Sequence, residues 1–135
     1  MLEAYSTNQT IVANGTLPFN ATKVSKGKTA TLNGVSTIEL NKAGVYEISL
    51  NISGLPSEAG DVTINMLVNS VTQANNINIP TVVTTAGVSG TLTTLVRVLF
   101  DNGCQCNSSP TSVSFINTGV GLTNFNCNVV VTKLC

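Results

Sequence analysis

From Gly44 to Ile52 the chain reads GVYEISLNI, and its apolar and polar positions alternate. Tyr46, Ile48, Leu50 and Ile52 fall on one side, and Val45, Glu47, Ser49 and Asn51 on the other. Successive side chains of a strand point to opposite faces, so this tract is a strand with one dry face. The pattern returns at once, with Val62, Ile64, Met66 and Val68 set against Thr63, Asn65, Leu67 and Asn69. Two period-two tracts in succession predict an antiparallel sheet protein.

Helical signals are nearly absent. No segment of a dozen residues carries a 3.6 period, and Thr, Val, Ile and Asn outnumber the good helix formers. Turn residues recur about every eight to twelve positions, the spacing of a sandwich or barrel. Asn14-Gly15, Asn33-Gly34, Gly54 to Gly60 and Asn102-Gly103 are the clearest breaks. Strands are expected near Leu2 to Tyr5, Thr10 to Ala13, Thr29 to Leu32, Val35 to Leu40, Gly44 to Ser53, Asp61 to Val71, Leu92 to Phe100, Ser112 to Asn117 and Phe125 to Leu134. Thr72 to Gly90 reads as loop with a short strand around Ile77 to Val83.

A chain of 135 residues is read as a single domain, 1–135, and can bury about two thirds of the surface exposed by its unfolded form. Only 9% of the residues are charged, six basic against six acidic, where an ordinary soluble domain has about 25%. Asn, Thr and Ser supply the polarity instead. Such a surface lacks the basic footprint that a phosphate backbone demands, so no nucleic-acid partner is expected. The one cationic cluster, Lys23, Lys26 and Lys28, reads as a solvated loop. No stretch approaches the roughly 18 to 20 apolar residues of a membrane span, so no membrane insertion is expected. The start, MLEAYSTNQT, has neither the basic region nor the apolar core of a secretion signal. Two readings stay open: assembly in a cytoplasm, or targeting by a piece outside this sequence.

Two late strands carry apolar residues on both faces. Leu92 to Phe100 sets Val96, Val98 and Phe100 against Leu95 and Leu99. The last strand sets Cys127, Val129 and Val131 against Val130 and Leu134. A strand buried on both faces needs a second cover, and a chain without helices finds it most simply in another subunit. An obligate oligomer is expected, with Leu95, Leu99, Val130 and Leu134 at its interface.

The tract Asn41-Lys42-Ala43-Gly44-Val45-Tyr46-Glu47-Ile48-Ser49-Leu50 is similar to the Gly-x-Tyr strand of the C1q/TNF-like jelly-roll family, which follows a short turn. Gly44, Tyr46, Ile48 and Leu50 carry the motif. The ending, Phe115-Ile116-Asn117-Thr118-Gly119 and then Val129 to Leu134, resembles that family's closing strand pair. Within the family the chain looks like the bacterial exosporium heads of the BclA type, and like fibre and decoration proteins of bacteriophage particles. The resemblance implies an all-β antiparallel sandwich, a jelly roll of about ten short strands, assembled as a homotrimer with its last strands near the axis. No collagen-like stalk precedes the head, and aromatics are scarcer than in animal members, so a cytokine function is not implied. What is implied is a non-enzymatic structural virion protein at the particle surface, a capsid decoration or head fibre with weak adhesion to host or glycans. The alternative is the receptor-binding head of a tail fibre or a bacterial surface adhesin. The segment 1–18 would serve as first strand or anchor. Loops Gly54 to Gly60, Gln73 to Gly90 and Asp101 to Pro110 would form a recognition surface.

Chemistry-bearing clusters are sparse. The four cysteines, Cys104, Cys106, Cys127 and Cys135, match none of the usual paired zinc knuckles, and no metal or other cofactor is expected. Eight residues of extended strand hold Cys127 and Cys135 roughly 26 Å apart, beyond disulfide reach. A bridge from Cys127 to Cys104 or Cys106 and a fully reduced set both stay open, with Cys135 free or paired between subunits. There is no His to serve as a base for a Ser or Cys nucleophile, and the six carboxylates, Glu3, Glu39, Glu47, Glu58, Asp61 and Asp101, are spread singly, so no enzyme is expected. The nearest pair, Glu58 and Asp61, reads as a turn. Asn-x-Ser/Thr triplets at Asn8, Asn14, Asn20, Asn51 and Asn107 follow from the Asn- and Thr-rich composition and predict nothing.

Overall fold

A computed structural model describes residues 1–27, 29–82, 86–98 and 111–134, and the side chains of Asn75, Thr81 and Val82 are outside that description. Among the described residues ten strands follow one another: β1 (Leu2–Ile11), β2 (Ala21–Ser25), β3 (Ala30–Asn33), β4 (Thr37–Leu40), β5 (Gly44–Pro56), β6 (Gly60–Val68), β7 (Val71–Val82), β8 (Val88–Val98), β9 (Thr111–Asn117) and β10 (Leu122–Lys133). They form two five-stranded sheets, ordered β2-β1-β10-β5-β8 and β3-β4-β9-β6-β7. Every pairing is antiparallel. After β4 the chain passes from sheet to sheet at almost every connection, the winding of a jelly roll. Among the described residues there is no helix, hence none long and apolar enough to cross a membrane.

The alternation read in the sequence decides which face is dry. Tyr46, Ile48, Leu50 and Ile52 of β5 are buried and meet Val62, Ile64 and Met66 of β6 across the sandwich. Val96 and Val98 of β8 and Cys127, Val129 and Val131 of β10 point the same way. Burial of such side chains stabilises by about 1.5 to 3 kcal/mol each and dominates the energetics.

One end of the sandwich is closed by the chain that follows β1. The Asn14 and Leu17 amides donate to the Asn117 and Phe115 carbonyl oxygens at 2.6 and 2.9 Å, so the segment lies along the half of β9 that β4 does not reach. Phe19 then packs edge to face on Phe115, with ring centroids 6.2 Å apart at 76°. The wholly buried Asn117 locks this crossing. Its Nδ2 donates to the Val120 oxygen at 2.9 Å and its Oδ1 accepts from the Gly119 amide at 3.1 Å.

Three local expectations are corrected. Leu2 to Ile11 is one strand, not two, because the polar break near Asn8 is a bulge with φ of 54° rather than a turn. Lys23, read with Lys26 and Lys28 as a solvated loop, lies on β2, an edge strand on β1, while Lys28 is outside the described residues. Thr72 to Gly90, read as mostly loop, is largely β7 and the start of β8. In the segment 1–18, read as first strand or anchor, β1 lies between β2 and β10, with Leu2, Ala4, Ile11 and Leu17 buried.

Candidate functional site

The outward face of the first sheet is the surface to which the sequence assigns an interaction. Its side chains form rows across the strands. Leu95, Glu47 and Thr132 make one row, and Thr93, Ser49, Val130 and Glu3 the next. Thr91, Asn51, Asn128 and Tyr5 make a third, then Ser89, Ser53 and Asn126. The face therefore grades from apolar and charged to amide and hydroxyl along the strands.

Leu95 is 60% exposed here, Val130 is half-buried, and Leu134, 52% exposed, stands just past β10 with its amide donating to the Val45 oxygen at 2.7 Å. Leu95 and Val130 thus share one face that no described residue covers fully, on strands separated only by β5. Leu99, the fourth residue expected there, lies outside the described residues. Beside Val130 a small polar network ties the neighbouring strands. Glu3 Oε2 accepts from Asn128 Nδ2 at 2.9 Å and stands 3.9 Å from Lys23 Nζ.

Gly44, Tyr46, Ile48 and Leu50 lie along β5. Gly44 opens β5 with φ of 148°, a conformation that favours glycine, and the other three side chains point into the core. Burial raises the Tyr46 phenol above its ordinary value, against the opposing backbone hydrogen bond at Lys42.

Cys127 is a free thiol facing the core, its Sγ donating to the Pro18 oxygen at 3.2 Å. Burial pushes it up to about 12, with a smaller opposite pull from the Ser6 backbone. Such a thiol is a small apolar residue in effect. Cys104, Cys106 and Cys135 lie outside the described residues. Among the described residues no three of His, Cys, Asp or Glu gather where a metal could sit. Of the proposed recognition loops, Gly54 to Gly60 is the end of β5 and a tight turn, Gln73 to Gly90 is mostly strand, and Asp101 to Pro110 is outside the described residues.

A groove bordered by Tyr5 has no signature in the sequence. It has a volume of about 500 Å³ and opens on the outward face between β1, β10 and β5. Tyr5 and Asn126, which border it, are brought together only by the pairing of the first and last strands.

No protein-family profile matches the chain, and no curated protein is similar to it in sequence. Solved structures do share its fold. The PRD1 vertex protein P5 superposes with a TM-score of 0.64 at 22% identity, over 99% of this chain and 96% of that one. Murine APRIL gives 0.61 at 7% identity, over 98% of each chain. Rabbit GITRL gives 0.57 at 11%, over 100% and 95%. These likenesses span nearly the whole chain, so by fold it is a C1q/TNF-like jelly roll.

Proposed function

We propose that this chain is a non-enzymatic structural protein of a bacteriophage virion, standing on the particle surface as a homotrimeric capsid decoration or head fibre. The carrying observation is the exposed Leu95 beside Val130 on an otherwise orderly jelly roll. An apolar side chain on the outward face of a two-layer sandwich is best explained by a cover, and a second copy of the chain supplies one. Glu3, Glu47, Lys23 and Arg97 on or beside this face balance two acids against two bases, so identical copies can meet without a net charge penalty. The full-length likeness in fold to the PRD1 vertex protein supports a place on a virion. Capsid or fibre proteins are then its neighbours, and cell-surface glycans its weak ligands. The second reading, a receptor-binding tail-fibre head or bacterial adhesin, draws on the groove beneath Tyr5.

Native mass by light scattering tests the assembly. Three chains per particle are expected, and Leu95→Glu and Val130→Glu should each shift the population toward monomer. A wild-type monomer overturns the trimer. Mass spectrometry of purified particles tests the location, and absence of the chain from them overturns the virion role.

A further inference from the structure

The groove on the first sheet is built by two irregularities at one level. β1 slips against β10 between Ser6 and Gln9, and β10 slips against β5 between Thr123 and Asn126. Asn8 and Asn124 take left-handed φ values of 54° and 48° there. Asparagine tolerates this conformation better than most residues, yet it is a feature that surrounding structure must hold in place. Asn126 holds both: its Oδ1 accepts from the Asn8 amide at 3.2 Å, and its Nδ2 donates to the Asn124 oxygen at 3.1 Å. Bulges recur beside binding sites because they open a sheet and re-aim side chains. Here the opening holds about 500 Å³, within the range of small-ligand sites.

The lining narrows the ligand class. Thr7, Asn51, Ser53 and Asn126 offer hydroxyls and amides, Tyr5 offers one ring that is 37% exposed, and no carboxylate among the described residues lines the groove. Lys23 is its only charge among the described residues, and that ammonium already stands 3.9 Å from Glu3. An anion would find its one cation already engaged, and an apolar ligand would strand the amides. A pyranose fits both halves of the lining. Its ring face can stack on Tyr5, while its hydroxyls, donor and acceptor at once, exchange with side chains of the same dual character.

We propose that the groove between β1, β10 and β5 binds a neutral terminal sugar of a surface glycan, with Tyr5 as stacking platform and Asn51 as hydrogen-bonding residue. The proposal rests on the adhesive part of the function above, and not on the trimer. The groove lies at the amide-rich end of the face, away from Leu95, so self-association and sugar binding can coexist.

The test is an amide chemical-shift titration of the whole chain with the methyl glycosides of glucose, galactose, mannose and N-acetylglucosamine, with sodium sulfate as the charged control. At least one glycoside should bind with a Kd of about 1 mM, shifting Tyr5, Asn51 and Asn126, while sulfate leaves them still. Tyr5→Ala should weaken that binding about tenfold and Tyr5→Phe should retain it, because stacking needs the ring and not the hydroxyl. Asn51→Asp, which removes the donors without removing bulk, should weaken it as well. Both positions point outward, and an unchanged Tm for each variant confirms the fold. Silence toward all four glycosides overturns the proposal, as do shifts that survive Tyr5→Ala. If Tyr5→Ala lowers the native mass instead, the groove is a contact between copies and the sugar assignment falls. Native mass on the same samples separates the readings: a sugar-silent trimer sinks only the groove, and a sugar-binding monomer sinks only the trimer.

Discussion

The Tyr46 hydroxyl donates to the Lys42 carbonyl oxygen at 2.6 Å and accepts from the Lys42 amide at 3.3 Å, so one side chain closes the turn that leads into β5. Thr29 brings its carbonyl oxygen to 3.5 Å from the same hydroxyl. The aromatic of the Gly-x-Tyr strand is thus core by its ring and a turn clamp by its tip.

Tyr46→Phe removes the clamp and keeps the ring. It leaves two backbone groups of a part-buried turn without their partner, which costs about 1 to 3 kcal/mol. Tyr46→Ala adds a cavity where the side chain is wholly buried, and its cost rises to about 3 to 5 kcal/mol. Urea unfolding should rank wild type above Phe and Phe above Ala. An unchanged midpoint for Tyr46→Phe would remove the clamp from the account.

Gly119 has no room for a side chain. A Cβ there would stand 2.3 Å from the Asp61 oxygen and 2.7 Å from the Thr63 nitrogen, both backbone atoms of β6. Backbone cannot yield as a flexible side chain does, so Gly119→Ala must push the turn off β6, where the Thr118 and Val120 amides donate to the Thr63 and Asp61 oxygens at 2.9 Å each. A loss of about 1 to 3 kcal/mol or more is expected. Gly34→Ala, where nothing lies within 4 Å, meets only the strain of a φ of 69° and should cost about 1 to 2 kcal/mol. Equal midpoints for the two variants would contradict the close approach.

What was legible in the sequence follows from burial. β5, β6, β9 and β10 are flanked on both sides within their sheets, so their inward positions are apolar apart from Asn117 and their period of two is plain. β2 and β7 are edge strands, and in β7 the burial falls chiefly on Ile77 while Thr72, Ala74, Asn76 and Asn78 face solvent. A strand exposed on both faces has no alternation to read. The two-faced character of β8 and β10 was readable at Leu95 and Val130, because an outward apolar residue breaks the alternation. The groove was not. It depends on single left-handed residues, Asn8 and Asn124, that meet only after strands more than a hundred residues apart have paired.

The buried amide of Asn117 gives a further prediction. It joins the crossing after β1 to the turn before β10, two segments with few other polar ties. Asn117→Ala leaves the Val120 oxygen and the Gly119 amide unpaired in a dry place, and about 1 to 3 kcal/mol of stability should go. Asn117→Asp keeps an acceptor for the Gly119 amide but sets a carboxylate against the Val120 oxygen. It should be worse than Ala at pH 7 and recover as the pH falls and the carboxyl protonates. Hydrogen exchange should show the faster opening first at Leu17 and Gly119. If exchange there is unchanged in Asn117→Ala, the amide is not the lock.

Cys127 makes the fold sensitive to alkali, and the sign follows from which state holds the proton. The thiol ionises near 9 when unfolded and near 12 in the fold, so between those values the folded chain binds more protons than the unfolded one. Stability is then complete below pH 9 and falls as pH rises toward 12, by up to about 4 kcal/mol from this group. Tyr46 is raised in the same direction and adds to the slope. Denaturant midpoints measured across the alkaline range should decline more steeply for wild type than for Cys127→Ala, although the variant starts lower by the cavity it opens. The same proton affinity keeps the thiolate scarce. At pH 8 a thiol reagent should modify Cys127 only on the timescale of unfolding, and modification at the rate of an exposed cysteine would show that the thiol does not face the core.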